Sequence, residues 1–260
     1  MIDLVIVSDA RDARLNQLTD TCLWSAHNSG RKIVIESQDI VFEGITTVPQ
    51  PKPFNYNKCL NLGFKYTEND ICFANNDVDF TACDWEKVEE LLETYPSLCV
   101  AENNAHHGFM ADKVYHGYKI GYHLTGWCIF LKRWVFEKIG GFNTDVDMWF
   151  SDDIYAEQLQ KAGIKHHIYM GTIIEHNASS TLGQKDNEFY ESELVKFLKA
   201  KQKLWCNFNE DVAVKYLTLQ RDYNQLQNLM EYLKDENEKG ELEKWGKIGE
   251  KIFNFLKNIK

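Results

Sequence analysis

The stretch FANNDVDF, residues 73–80, sets two amides and two carboxylates at the end of an apolar run. Ile71, Cys72, Phe73 and Ala74 read as the close of a buried strand, so Asn75, Asn76, Asp77 and Asp79 present hard oxygen atoms where that strand leaves the core. Such oxygens suit a divalent cation, although the same residue types also build plain turns. Two further groups could do chemistry. Asp152 and Asp153 open a run patterned as a helix, and His176 closes a run patterned as a strand.

Side chains so far apart in the chain need a scaffold that gathers them. Ile2 to Val7 reads as a buried strand, Leu15 to Ala26 as an amphipathic helix and Ile33 to Ile35 as a second strand, so the chain opens β-α-β as parallel α/β folds do. Ligands of such sheets sit beyond the carboxyl ends of the strands, where this chain places Ser8 and Asp9, then Glu36 and Ser37, then the 75–79 cluster. Pro49, Pro51 and Pro53 mark a turn before FNYNKCLNLGFKYT, which reads as a helix on the sheet, and Trp85 to Tyr95 reads as a surface helix ended by Pro96. After an unpatterned stretch from 101 to 122, GWCIFLKRWVFEKIGGF predicts a strand, a short helix and a Gly-Gly stop. SDDIYAEQLQKAGI predicts another helix and HHIYMGTIIEH a strand. From about Asp186 the composition shifts to helix-spaced runs without proline, and Leu219, Tyr223, Leu226, Met230 and Leu233 form one apolar stripe. The expected organisation is an α/β domain over 1–185 and a helical appendage over 186–260.

The 260 residues, 44% of them apolar, can fill a sizeable core. A net charge of −10 argues against general nucleic-acid binding, which needs a basic surface. The seven cysteines are odd in number, widely spaced and without a C-x-x-C pair, which predicts reduced thiols in a cytoplasmic protein. The start IDLVIVS is too short and acidic for a signal peptide, and no apolar run reaches the ~20 residues of a membrane span. His106, His107, His116 and His123 fit no compact zinc-ligand spacing.

Taken in combination, FNYNKCLNLGF, FANNDVDF and GWCIFLKRWVFEKIGGFN resemble the motifs of the family-2 glycosyltransferases, inverting enzymes of the A-type nucleotide-sugar fold, and of the related galactosyltransferase family. The likeness covers residues 2 to 182. WFSDDIYAEQLQKAG completes it, because the family's acidic pair precedes the glycine of an A-G turn by a set count that, taken back from Gly163, lands on Asp152. Ser151 departs from the pattern, standing where the family more often has glutamate.

The resemblance implies a Rossmann-like mixed sheet flanked by helices and a transfer of sugar from a nucleotide donor, a UDP-sugar first, to a hydroxyl of a glycan or similar acceptor. It implies Mn2+ or Mg2+ held by His176 with Asp77 or Asp79, depending on whether the motif aligns as N-N-D or D-V-D. It implies Asp152 as the general base, with Asp153 second. Ser8, Asp9 and Glu36 would border the nucleobase, Asn57, Asn76 and Asp77 would meet the nucleotide-sugar, and Gly126 with Trp127 would line the acceptor side. A sugar nucleotidylyltransferase is the rival enzyme, but it wants a glycine-rich phosphate loop after the first strand, where this chain has SDARDARL. A non-catalytic interaction protein acting through the appendage is the other rival. Residues 242–260 pattern as an amphipathic helix with a tryptophan and several lysines, which predicts either a membrane-surface contact or packing on the catalytic domain or a second subunit.

Overall fold

In a computed structural model the chain is described over residues 1–102, 109–177 and 187–205. It divides into two compact units, Met1–Asn207 and Phe208–Lys260, and every element named below lies in the first. In chain order these are β1 (Ile2–Ser8), α1 (Ala13–Ser25), β2 (Lys32–Glu36), β3 (Thr46–Pro49), α2 (Tyr56–Phe64), β4 (Asp70–Asn75), β5 (Val78–Asp79) and α3 (Trp85–Leu92). β6 (Ser97–Glu102), β7 (Val114–His116), β8 (Cys128–Leu131), α4 (Arg133–Ile139), α5 (Ser151–Ala162), β9 (His167–His176) and α6 (Asn187–Trp205) follow.

Local chemistry sets these boundaries. Every residue of β1 is buried, as are the central residues of β4, the signature of strands covered on both faces. α1, α2 and α3 each start at a side-chain cap: Asp12, Asn55 and Asp84 accept from the N–H groups of Leu15 (2.9 Å), Lys58 (2.8 Å) and Lys87 (3.0 Å). α4 and α5 stop at Gly140 and Gly163, whose φ values of 76° and 68° are left-handed.

The strands form a mixed sheet in the order β3-β2-β1-β4-β8-β6-β9-β5, with β7 also paired to β9. β3, β2, β1 and β4 run parallel, so their carboxyl ends share one edge, and β8 lies antiparallel between β4 and β6. Alternate residues of β1 feed two apolar layers. Leu4 and Ile6 join Cys72, Phe80, Trp85 and Phe130 on one face, while Val5 and Val7 join Phe73, Phe136, Phe142 and Tyr155 on the other.

Among the strands that the sequence reading does not name, β7 and β3 have plain reasons for it. β7, inside the stretch that reads as unpatterned, has three residues, too few for an alternation to register. β3 is an edge strand ending at Pro49, where a missing N–H is tolerated. α6 is helical as its spacing predicts, but it packs on the sheet domain: Ala200, Phe197 and Leu204 meet Val146 and Ile154, in the same compact unit as β1. Composition changes near residue 186 because a helix replaces strands and turns, and a helix can belong to either side of a domain boundary. The stripe 219–233 and the amphipathic run 242–260 lie outside the described residues. Among the described residues no helix is long and apolar enough to cross a membrane. Cys22, Cys59, Cys72, Cys83, Cys99 and Cys128 are buried free thiols.

Candidate active site

The edge where β4 ends is built by a register. β5 lies antiparallel to β9 with Val78 opposite His176, and the N–H of Asn177 donates to the carbonyl of Asp77 at 2.9 Å. This brings His176 Nε2 to 3.2 Å from Asp77 Oδ1, both side chains being nearly buried. Apart from this contact with Asp77, His176 Nε2 has no hydrogen-bond partner, which is costly for a nearly buried imidazole nitrogen. A bound cation would relieve that cost. Two adjacent ligands of an octahedral ion at ~2.1 Å stand about 3 Å apart, so a carboxylate oxygen and an imidazole nitrogen at this spacing fit one Mn2+ or Mg2+. Among the described residues no three His, Cys, Asp or Glu side chains converge on a metal-sized space, so the other ligands would be water and phosphate oxygens. Asp79 is turned elsewhere: its register partner is Glu175, and its Oδ1 accepts from the N–H of Thr81 at 2.8 Å.

Trp127 and Gly126 connect this pair to the two acidic residues of α5. The indole of Trp127 lies flat on His176, with ring centroids 4.8 Å apart and planes 9° apart. Gly126 abuts Asp152 so closely that a Cβ there would stand 2.9 Å from Asp152 Cβ, and its backbone hydrogen-bonds the Asp152 carboxylate. Adjacent residues therefore touch the imidazole and the carboxylate. Burial pushes the Asp152 carboxyl above its ordinary range, against hydrogen bonds that favour its ionised form. Asp153 is pushed up to about 6, first by burial and then by the charge of Asp152 beside it. Tyr56 is the site residue that sequence reasoning passed over. Its hydroxyl donates to Asn75 Oδ1 at 2.8 Å, and burial, then the charge of Asp77, with a smaller share from Asp152, drives its pKa up. An aromatic at the first position of α2, facing the strand-end edge, was the available signal.

Two motifs that read as separate are one construction. The resemblance places Asn57 at the nucleotide-sugar, whereas the residue is 1% exposed and its amide donates to the carbonyl of Asn143 at 2.6 Å. Asn61 exchanges both its amide groups with the backbone of Phe142, and Asn55 donates to the carbonyl of Val146 at 2.7 Å. The asparagines of FNYNKCLNLGF thus pin α2 to the GGFN turn, and that turn leads to α5 and its carboxylates.

On the other side of β4 the remaining candidates cluster at the ends of β1 and β2. Glu36 is 2% exposed; its Oε1 accepts from the N–H groups of Ala10 (3.0 Å) and Gln38 (2.9 Å), and its Oε2 is buried without a partner. Asp9 Oδ1 accepts from Ser37 Oγ at 2.5 Å and from Gln38 Nε2 at 3.0 Å. Ser8 Oγ lies 2.7 Å from Thr19 Oγ1, which also accepts from Asn76 Nδ2 at 3.0 Å. Ser8 and Asn76 are tied to each other through Thr19, whereas Glu36 keeps an acceptor free.

No family model matches the sequence, and no curated protein does either. Solved structures do match by fold. GalNAc-T7, crystallised with UDP, GalNAc and Mn2+, superposes with a TM-score of 0.59 over 79% of this chain at 6% identity. S. aureus TarS 1–349 superposes with a TM-score of 0.50 over 84% at 10% identity. The chain spans 50% of the first and 69% of the second. The protein has the A-type glycosyltransferase fold, a mixed sheet flanked by helices.

Proposed function

We propose that this protein is a metal-dependent, inverting glycosyltransferase that moves a sugar from a nucleotide-sugar, first of all a UDP-sugar, to a hydroxyl of a glycan or similar acceptor. The observation that carries the proposal is the pairing of Asp77 with the nearly buried His176 nitrogen at the strand edge, with an acidic pair of raised pKa next to it. In this reading Asp77 and His176 hold Mn2+ or Mg2+, and Asp79 supports the turn. The bound cation supplies charge neutralisation for the departing diphosphate. Glu36 Oε2 accepts an N–H of the nucleobase, for which its other oxygen's bonds orient it. Asp152 takes the proton of the attacking hydroxyl, and its elevated pKa brings its basicity closer to neutral pH. Asp153 shares that proton. Gly126 leaves the space a side chain would fill, and Trp127, stacked on His176, forms the wall of the acceptor side. The buried free thiols support a cytoplasmic location.

The nucleotidylyltransferase reading loses support here. Residues 8–15 are the end of β1 and the start of α1, with Asp12 capping the helix, so a carboxylate occupies the place where a phosphate loop offers backbone N–H groups. The deciding experiment is a panel of nucleotide-sugars incubated with the full chain in Mn2+ and in excess EDTA. Metal-dependent release of nucleotide from one donor is expected, and absence of turnover and of UDP binding across the panel would overturn the assignment.

A further inference from the structure

The turn that delivers Asp152 is gripped from two sides. α2 grips one: Asn55 donates to the carbonyl of Val146, and the N–H of Tyr56 donates to the carbonyl of Asp147 at 2.6 Å. α6 grips the other. The side chain of Glu193 is fully buried, and its Oε2 accepts from two consecutive backbone N–H groups, those of Asp147 (2.9 Å) and Met148 (2.8 Å). Its Oε1 receives Lys196 Nζ at 2.7 Å. Above this, Phe150 stacks on Phe197 with centroids 5.3 Å apart and planes 12° apart, and Tyr190 packs at 5.2 Å. Ser151 Oγ closes the turn on the carbonyl of Met148 at 2.7 Å.

Packing alone does not call for a carboxylate at this position, since an apolar residue would fill the same space without a desolvated charge. Nor does the chain relax at Phe150. Its φ of 64° is left-handed, a conformation that a bulky residue keeps only where its surroundings over-determine it. The carboxylate and the ring stack act on the same few residues, and Asp152 lies two positions beyond Phe150.

We propose that α6 is a clamp for the catalytic turn, with Glu193 as a positioning residue that holds 147–151 so that the Asp152 carboxylate stays against Gly126. The proposal rests on Asp152 being the base. Glu193 touches no substrate and acts through the backbone it binds.

The test compares the full-length wild type with Glu193→Ala, the isosteric Glu193→Gln, and Lys199→Ala as a control at an exposed position of α6, each also combined with Asp152→Asn. Amide hydrogen exchange reads the clamp without any substrate. Peptides covering 143–154 should exchange at least about tenfold faster in Glu193→Ala and less so in Glu193→Gln, with β1 and β4 unchanged. Hydrolysis of UDP-GlcNAc and UDP-GalNAc with MnCl2 reads the coupling. In Glu193→Ala, kcat should fall roughly tenfold or more while the donor KM stays within about twofold, and in the Asp152→Asn background the same change should cost almost nothing. Glu193→Gln, which still accepts hydrogen bonds, should recover most of kcat, and Lys199→Ala should match wild type. Unchanged exchange in 143–154 would overturn the clamp. Faster exchange with unchanged kcat, or an equal loss in the Asp152→Asn background, would overturn the positioning role. If Asp152→Asn itself is fully active, the base assignment fails and the positioning role falls with it, while the exchange data still decide whether the clamp exists.

Discussion

At Asp152 and Asp153 two carboxylates share one helix turn, and the proposed transfer needs at least one of them basic. Because Asp152 is raised and Asp153, which shares its proton, is pushed up to about 6, transfer should fall on the acid side as the pair takes up a proton. Asp153→Asn removes the neighbouring charge, so the acid limb of the kcat profile should move to lower pH, whereas Asp152→Asn should lower transfer by roughly 10² or more while UDP still binds. An inactive Asp153→Asn beside an active Asp152→Asn would exchange their roles. The same residue carries a stability consequence. A carboxyl with a raised folded pKa keeps its proton where the unfolded chain has lost it, so its contribution to stability declines as pH rises from the ordinary carboxylate value of 3.8 to about 6. Asp153→Asn should therefore melt higher than wild type at pH 7.5, as removing a functional strain does. For the metal pair, His176→Ala should abolish saturable Mn2+ binding in calorimetry with little change in melting temperature, and retained Mn2+ affinity would remove His176 from the site. Asp79→Asn should keep Mn2+ affinity, because its side chain caps the turn at Thr81.

Helix α2 shows how an element transmits a sequence motif into site geometry. Gly63 lies on β1 with no room for a side chain: a Cβ there would stand 2.3 Å from Val5 Cγ1. Gly63→Ala should destabilise the fold by about 1–3 kcal/mol through overpacking, measured by urea unfolding. Val5→Ala should recover part of that loss when combined with it, because it removes the clashing methyls. The glycine of the F-N…N-x-G-F motif is thus a packing requirement, and the asparagines are backbone clips. Their types and order were legible in the sequence, but their role as clips was not, because the partner carbonyls of Asn143, Phe142 and Val146 belong to another part of the chain. Glu193 gave no signal at all. A glutamate within a charged helical run reads as a solvated face until the helix is seen to pack.

Across the whole molecule a net charge of −10 surrounds a site that, in the proposed function, takes a diphosphate. UDP should therefore stabilise the protein only when Mn2+ is present, raising the melting temperature by the linkage expected for a ligand bound to the folded state alone; equal stabilisation in EDTA would contradict the metal assignment. The basic, amphipathic run 242–260 is tested separately. If it meets lipid, the full chain should co-sediment with anionic vesicles, release as salt screens the lysines, and lose binding on deletion of 242–260 without an earlier melt. The sequence by itself determined the β-α-β opening, the buried strands and the residue types of the chemistry, since apolar periodicity and caps are local properties of the chain. It also placed acidic and imidazole groups at strand and helix ends. Only the tertiary structure set Asp77 rather than Asp79 beside His176, buried Asn57 against Asn143, put the Tyr56 hydroxyl on Asn75 and packed α6 against the turn that precedes α5. Those distinctions depend on the register of β5 with β9 and on contacts between segments distant in sequence, which no local pattern encodes.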